Sequence, residues 1–528
     1  MIQLLARLRA LRPRPDRRRT VHPARARCAL AGAAALSASA AVAGFAPQPA
    51  AASPERSPVA ATPAPVLALS WRPCDKKFRC ATLEVPIDYA APSRGRLGLA
   101  VVELPSTSAH PVGDLVMNPG GPGGSGVSFL EQTPFPAGLR SEFNLVSFDP
   151  RGVGESDPVR CVDAAGIRKL IGLNPAPATP SEVGTVVAAT KSFVAACAAH
   201  TPKLLLENMG SAATVEDMDR LRAALGEAKL NYLGFSYGTY LGELYAERYP
   251  THLRAAVLDG VVDPALSTTE ADRQQGAGFE TDLHDFFAWC PRNSTCKSLL
   301  PGGATAAYRT LMSDLAGGRS IPAQLKPKYG GTVPLTLGVA ETAIAGSLYS
   351  NRTWPDLAEG LVQALGGDGG LLAAIAYSYE GLQSNGQFQN QIAAGVATDC
   401  LDRPSPVDLS SYERLAAELA KSEPDFGASE AWGTLSCAYW PVPPQGRPAP
   451  IHAPGSPEIL LVGSTGDPAT PYEWAVAVSH QLDHAELLTR NGPGHTAYFF
   501  SACVDGYVLR YLVTLRMPPR HTVCPSSS

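Results

Sequence analysis

The chain has 528 residues, 44 Lys+Arg against 48 Asp+Glu, and a formal net charge of −4. That length exceeds one ordinary domain. The near-balanced charge, with no basic run outside the N-terminus, argues against a nucleic-acid partner. Residues 1–52 read as an export signal. Arg17-Arg18-Arg19, Arg25 and Arg27 form a basic region, Ala29 to Phe45 is apolar, and Ala50-Ala51-Ala52 offers a small-residue cleavage site before Ser53. The competing reading is a membrane anchor, but the stretch is Ala-rich and barely long enough to span. A cleaved signal, secretion and no lasting membrane association are therefore expected. The arginine cluster is a loose match to a twin-arginine signal.

Signal removal would leave ten cysteines, at 74, 80, 161, 197, 290, 296, 400, 437, 503 and 524. An even count in an exported chain fits disulfides. Pairing each cysteine with its neighbour would close five loops, although sequence leaves other connectivities open. No two cysteines have the close spacing, with a histidine partner, of a zinc site, and no metal or organic cofactor is called for.

Residues 53–70 are Pro/Ala-rich and expected to be a disordered lead-in. Strands are predicted at Ala81 to Ile87, Leu97 to Leu104, Asp114 to Met117 and Phe143 to Phe148. Helices are predicted at Ser181 to Ala199 and Val215 to Leu225. A short apolar run, Asn231 to Leu233, leads into Gly234-Phe235-Ser236-Tyr237-Gly238 and a helix from Thr239 to Tyr249, and another strand follows at Ala255 to Leu258. This alternation predicts a parallel sheet with helices on both faces. It breaks after Pro264: residues 265–450 carry helix-like pieces, such as Ala277 to Cys290 and Thr336 to Ser347, between Gly/Pro punctuation. Strands resume at Glu458 to Val462 and Ala485 to Leu488, and a last helix is predicted from Cys503 to Leu515. The middle region therefore reads as an insertion into one sheet domain formed by residues 71–264 and 451–528.

Gly-x-Ser-x-Gly between a strand and a helix is the setting of a nucleophile elbow, with the serine hydroxyl exposed at a strained tip. A bare match recurs by chance in a Gly-rich chain, so the other parts of an acyl-transfer site carry the weight. Ser236 is the candidate nucleophile, and the Tyr237 N–H one oxyanion donor. Asn118-Pro119-Gly120-Gly121-Pro122-Gly123-Gly124-Ser125-Gly126 follows a strand directly and offers Gly121 as the second donor. It lacks the Lys-Ser/Thr ending of a nucleotide-binding loop. His495, on the loop after the strand Ala485 to Leu488, is the candidate base, ahead of His480, His484 and His521. Asp467, after the strand Glu458 to Val462, is the candidate orienting acid, with Asp259 and Asp263 as rivals. A turn aspartate capping its own loop is the bland alternative for Asp467. The order Ser, Asp, His is that of α/β-hydrolases. Asp149 and Arg151 in Asp149-Pro150-Arg151-Gly152-Val153-Gly154-Glu155-Ser156 read as structural, tying that loop together.

On these residues the chain resembles the secreted tripeptidyl aminopeptidases of actinobacteria, prolyl-aminopeptidase-like serine peptidases of the α/β-hydrolase fold. The resemblance runs from Trp71 to Cys524 and rests on Asn118 to Gly126, Asp149 to Ser156, Gly234 to Thr239, Gly466-Asp467-Pro468 and Gly494-His495. Prolyl aminopeptidases typically carry histidine where Pro119 stands and tryptophan where Tyr237 stands, which favours the tripeptidyl branch. The resemblance implies an α/β-hydrolase sheet with a largely helical cap at residues 265–450. It also implies a Cys400–Cys437 bridge, from the segments Ala397 to Asp402 and Cys437 to Pro441. Such an enzyme takes peptide substrates and needs an anion for their free ammonium group; Asp402, Glu280 and Glu243 are candidates. The implied activity is release of short N-terminal fragments, tripeptides above all, by an acyl-enzyme route. The alternatives are an esterase or lipase of the same fold, a prolyl aminopeptidase, and a noncatalytic binding protein.

Overall fold

The computed structural model describes residues 68–75 and 77–526. The export signal at 1–52 and most of the lead-in at 53–70 lie outside them. The strands in chain order are β1 Arg72–Asp75, β2 Phe78–Pro86, β3 Arg96–Leu104, β4 Gly113–Asn118, β5 Phe143–Phe148, β6 Leu230–Phe235 and β7 Leu253–Asp259. After these come β8 Ile321–Gln324, β9 Thr332–Leu335, β10 Ile459–Gly466, β11 Ala485–Pro493 and β12 Val523–Cys524. Among the described residues, ten of them form one sheet in the order β1-β2-β3-β5-β4-β6-β7-β10-β11-β12.

From β5 to β12 every neighbouring pair is parallel. The first three strands depart from the all-parallel expectation: β1–β2, β2–β3 and β3–β5 pair antiparallel. For β1–β2 and β2–β3 the physical reason is connection length. Parallel neighbours need a crossover of a dozen or more residues, whereas β1–β2 and β2–β3 are joined by short links.

β6 is buried at every position, as a strand covered on both faces must be. Leu233, Val257 and Val462 share one core with Val504, Val508 and Leu512 of the helix Ala502–Thr514. On the opposite face Tyr232 and Leu258 crowd Gly242 of the helix Tyr237–Arg248, where a Cβ would come within 2.5 Å of the Leu258 side chain.

The chain between β7 and β10 is a largely helical insertion whose core runs from Phe279 through Leu311, Ile344, Leu361 and Leu372 to Phe426 and also takes in Ile167, Ile171 and Ala469 of the flanking chain. It also holds the hairpin β8–β9, which sequence periodicity did not disclose. Among the described residues, five disulfides join Cys74–Cys80, Cys161–Cys197, Cys290–Cys296, Cys400–Cys437 and Cys503–Cys524. The pairing is neighbour to neighbour throughout. The bridge at Cys400 links the insertion helix Gln391–Asp402 to the helix Leu435–Ala438.

Candidate active site

The loops that follow β4, β6, β10 and β11 all leave the carboxyl ends of parallel strands, where open α/β sheets gather their ligand sites. β6 ends in a turn with Ser236 at φ 55°, ψ −129°, and the helix Tyr237–Arg248 starts directly after it. A non-glycine residue held there costs about 1–3 kcal/mol, so the surroundings must over-determine it. They do: Ser236 N–H donates to Asp259 O at 2.9 Å, and the Tyr232 hydroxyl donates to Gly238 O at 2.7 Å. The two glycines of the motif are demanded by packing. A Cβ at Gly234 would lie 2.4 Å from Gly238 O, and one at Gly238 would lie 2.7 Å from Asn118 O.

The glycine-rich loop after β4 lies against this turn. A Cβ on Gly120, at φ 91°, would fall 2.4 Å from Phe235 O and 2.8 Å from Ser236 Cβ. Gly120 N–H is held by Asn118 Oδ1 at 2.8 Å. The Gly121 and Tyr237 N–H groups are not spent on backbone carbonyls among the described residues. The loop is fastened from behind by Asp149, whose Oδ1 accepts from Ser125 Oγ at 2.6 Å and Val127 N–H at 3.0 Å. Arg151 does not pair with Asp149. It forks onto the fully buried Asp217 at 2.8 and 2.7 Å. Both residues are structural, but each ties its loop to a different neighbour.

His495 Nδ1 lies 2.9 and 3.0 Å from the two Asp467 oxygens, with Thr470 Oγ1 at 3.2 Å. Asp467 Oδ1 also accepts from the N–H groups of Ala469 at 3.0 Å and Thr470 at 2.8 Å; Oδ2 accepts from Thr496 N–H at 3.2 Å. The side chain of Asp467 is fully buried. So the carboxylate caps its own turn and holds the imidazole at once. His495 is oriented further by its N–H to Tyr349 O at 3.0 Å and by the Tyr349 ring, 5.1 Å away and edge-on. The other ring nitrogen, Nε2, is buried and has no partner. The rival acids are engaged elsewhere. Asp259 accepts from the N–H groups of Ala497 and Tyr498, and burial pushes its carboxyl up to about 7. Asp263 holds Ala265 N–H and the Gln481 amide.

Ser236, His495, Gly120 and Gly121 line one cavity of about 480 Å3 together with the insertion residues Tyr349, Tyr379, Glu380 and Asp399. Two carboxylates therefore face the space beside Ser236, and neither was singled out from the sequence. Glu380 follows the helix Gly370–Tyr379, and burial pushes its carboxyl up to about 7 against the opposing Gln391 hydrogen bond. Asp399 is exposed at the cavity; desolvation by the surrounding protein first, then the neighbouring Asp402, pushes its carboxyl up to about 7.

The three acids chosen from the sequence do not line this cavity. Asp402 is buried, and both its oxygens are taken by Ser211, from N–H at 2.7 Å and Oγ at 2.5 Å. Ser211 Oγ in turn sits 2.5 Å from the Tyr237 hydroxyl, so Asp402 braces the residue after Ser236 and not a ligand. Glu243 is fully buried in the helix after the elbow with neither oxygen hydrogen-bonded, and burial holds it far above the usual carboxylate range. Glu280 accepts from Asp425 N–H at 2.9 Å and lies 3.6 Å from His284.

Comparison with known proteins gives two family matches: the family described as alpha/beta hydrolase fold over residues 115–299, and the family described as TAP-like protein over residues 423–524. Serine protease Hip1 of Mycobacterium tuberculosis is 35% identical over 480 residues, 86% of this chain and 91% of that protein. Carboxylesterase B of the same organism is 34% identical over 486 residues, 87% of this chain and 91% of that protein. Tripeptidyl aminopeptidase of Streptomyces lividans is 31% identical over 485 residues, 88% of each chain.

Proposed function

Because this chain belongs to the tripeptidyl-aminopeptidase-like serine hydrolases of the α/β-hydrolase fold, we propose that it is an exported serine exopeptidase cutting near the free N-terminus of peptides. Ser236 Oγ attacks the scissile carbonyl. His495 Nε2 takes the hydroxyl proton and then delivers it to the leaving amine, while Asp467 holds the imidazole in the tautomer that leaves Nε2 free. The Gly121 and Tyr237 N–H groups receive the oxyanion. Water then attacks the acyl-enzyme with His495 again as base.

Glu380 and Asp399 supply the anion for the substrate ammonium group. Both carboxyls are desolvated by the surrounding protein, and a desolvated carboxylate holds an ammonium group more strongly than a fully solvated one does. The likeness to the tripeptidyl aminopeptidase of Streptomyces lividans supports tripeptides as the released fragment. Residues 265–450 act as the cap that carries both acids, over a core of residues 71–264 and 451–528. The five disulfides fit an oxidising compartment outside the cytoplasm.

The observation that carries this reading is the imidazole: one nitrogen is held by Asp467, and the other is buried and unpartnered in the cavity that Ser236 lines. A fluorophosphonate probe should label Ser236, and a tripeptidyl p-nitroanilide should be turned over; Ser236→Ala should abolish both. Activity that survives this substitution refutes the nucleophile. A second reading, an esterase for small acyl esters, is favoured by the likeness to carboxylesterase B. The two cavity carboxylates weigh against it, since a neutral ester gains nothing from them. Turnover of p-nitrophenyl esters but not of tripeptidyl anilides would select the esterase.

A further inference from the structure

A second cavity, of about 230 Å3, adjoins the first: Tyr349, His495, Thr496 and Phe500 line both. Its charge is opposite. No carboxylate lines it, and its walls carry Arg352 and Arg490. Arg490 is 3% exposed. One of its terminal nitrogens donates to Pro493 O at 2.9 Å and to Ser464 Oγ at 3.3 Å, while its Nε is buried with no partner. Arg352 is exposed at the cavity, its guanidinium 4.8 Å from the centre of the Phe500 ring. Among the described residues neither guanidinium has a carboxylate within the 4.0 Å of an ion pair. Asp259, Asp282 and Asp467 act on Arg490 only at longer range. A buried, unpaired cation is costly unless a ligand supplies the counter-charge, and a guanidinium fork matches a carboxylate in shape as well as charge.

The chemistry of the reaction says which half of a substrate comes here. The leaving nitrogen must reach His495 Nε2 to receive its proton. The acyl half, with its ammonium group, occupies the cavity of Ser236, Glu380 and Asp399. The chain beyond the leaving nitrogen must pass His495, and the space that His495 also lines is the arginine cavity. At about 230 Å3 it lies below the roughly 300–1,000 Å3 of pockets that take whole ligands, so it has room for a terminal residue and not for a long chain. We propose that Arg352 and Arg490 form a subsite for a carboxylate on the leaving side of the scissile bond. The two cavities then read a short peptide by its opposite ends, ammonium in the acidic one and carboxylate in the basic one. This rests on the exopeptidase reading above.

The test compares kcat/KM for tetra-alanine with a free α-carboxylate, for its C-terminal amide, and for the amide of Ala-Ala-Ala-Asp. A tripeptidyl p-nitroanilide, whose leaving group has no carboxylate, reports the underlying reaction. The free acid is expected to exceed the amide by about 10–100-fold, the range for hydrogen bonds to a charged partner. An advantage confined to the free acid assigns the α-carboxylate; one shared by the Asp amide assigns a side-chain carboxylate as well. Equal kcat/KM for all three peptides, with the anilide turned over, overturns the subsite and leaves the exopeptidase standing. No turnover of peptides or anilide overturns both. In Arg352→Gln the acid-to-amide ratio should fall toward one, and Arg352→Lys should keep part of it. A ratio unchanged in Arg352→Gln removes Arg352 from the subsite. The ratio is internal to each variant, so a partly misfolded preparation does not mimic the expected result.

Discussion

Replacing Asp467 by asparagine tests the imidazole geometry most directly. Oδ1 of Asp467 receives the Ala469 and Thr470 N–H groups, and Oδ2 receives the Thr496 N–H, while both oxygens face His495 Nδ1. An asparagine can set its one oxygen at the Oδ1 position and satisfy two backbone donors, or at the Oδ2 position and leave those two facing an NH2. The first arrangement wins. It places the NH2 against Thr496 N–H and His495 Nδ1. One unsatisfied buried donor costs about 1–3 kcal/mol of stability. The larger effect is on the histidine, which must now accept at Nδ1 and therefore carries its proton on Nε2, where it can no longer take one from Ser236. Loss of the correct tautomer lowers kcat about 10^4-fold in Ser-His-Asp enzymes, about 5 kcal/mol at 1.36 per decade. KM should change little, because Asp467 does not line the cavity. Steady-state kinetics on a tripeptidyl p-nitroanilide, with thermal melting to certify the fold, read both numbers. A kcat within tenfold of the parent would refute the reasoning. So would a folded Asp259→Asn protein that loses more activity than Asp467→Asn.

The carboxyls of Glu380 and Asp399 are each pushed up to about 7, so they are mostly neutral at pH 6 and ionised at pH 8. Ammonium binding needs the ionised form, so the preference for a free over an acetylated N-terminus should grow as pH rises through 7. It should fall again near the ordinary ammonium pKa of about 7.7–8.0. The ratio cancels titration of His495, and Glu380→Gln with Asp399→Asn should flatten it; a flat ratio in the parent removes the acids from amine recognition. Gly120→Ala drives a Cβ to 2.4 Å from Phe235 O at a φ of 91°. It should lower the melting temperature through about 1–3 kcal/mol of backbone strain and slow fluorophosphonate labelling; parent-like labelling would show that the loop yields without cost to the site. Removing the Cys400–Cys437 bridge, which closes a separation of 37 residues, should cost about 4 kcal/mol by loop-closure entropy, read as a lower denaturation midpoint.

The strand–helix alternation and the glycine spacing of the elbow were legible in the sequence, because each is a local signal; neighbour pairing of the cysteines was one connectivity among several, and the fold selects it. Apolar period marks a strand or helix wherever the chain goes. The glycines at 234 and 238 answer backbone contacts made within the motif and with Asn118. The choice of Ser236, Asp467 and His495 as candidates rested on the Gly-x-Ser-x-Gly motif, on places after apolar strands and on the order Ser, Asp, His; Asp259 also ends an apolar strand, and only the structure separates it from Asp467. The antiparallel start of the sheet was less legible: β1 is exposed at all four positions and carries no apolar pattern.

What only the tertiary structure decided is which acids meet the cavity. Gln391, Ile392, Gly395, Val396 and Asp399 line it from one face of the helix Gln391–Asp402. Asp402 is three residues on from Asp399, close to one turn around and about 4.5 Å further along the axis at 1.5 Å per residue. There it meets Ser211, which is 191 positions away in sequence. Helical period tells direction around an axis and nothing of depth along it. Depth is set by how the insertion packs on the sheet, and that is why Asp399 faces the cavity while Asp402 braces Tyr237.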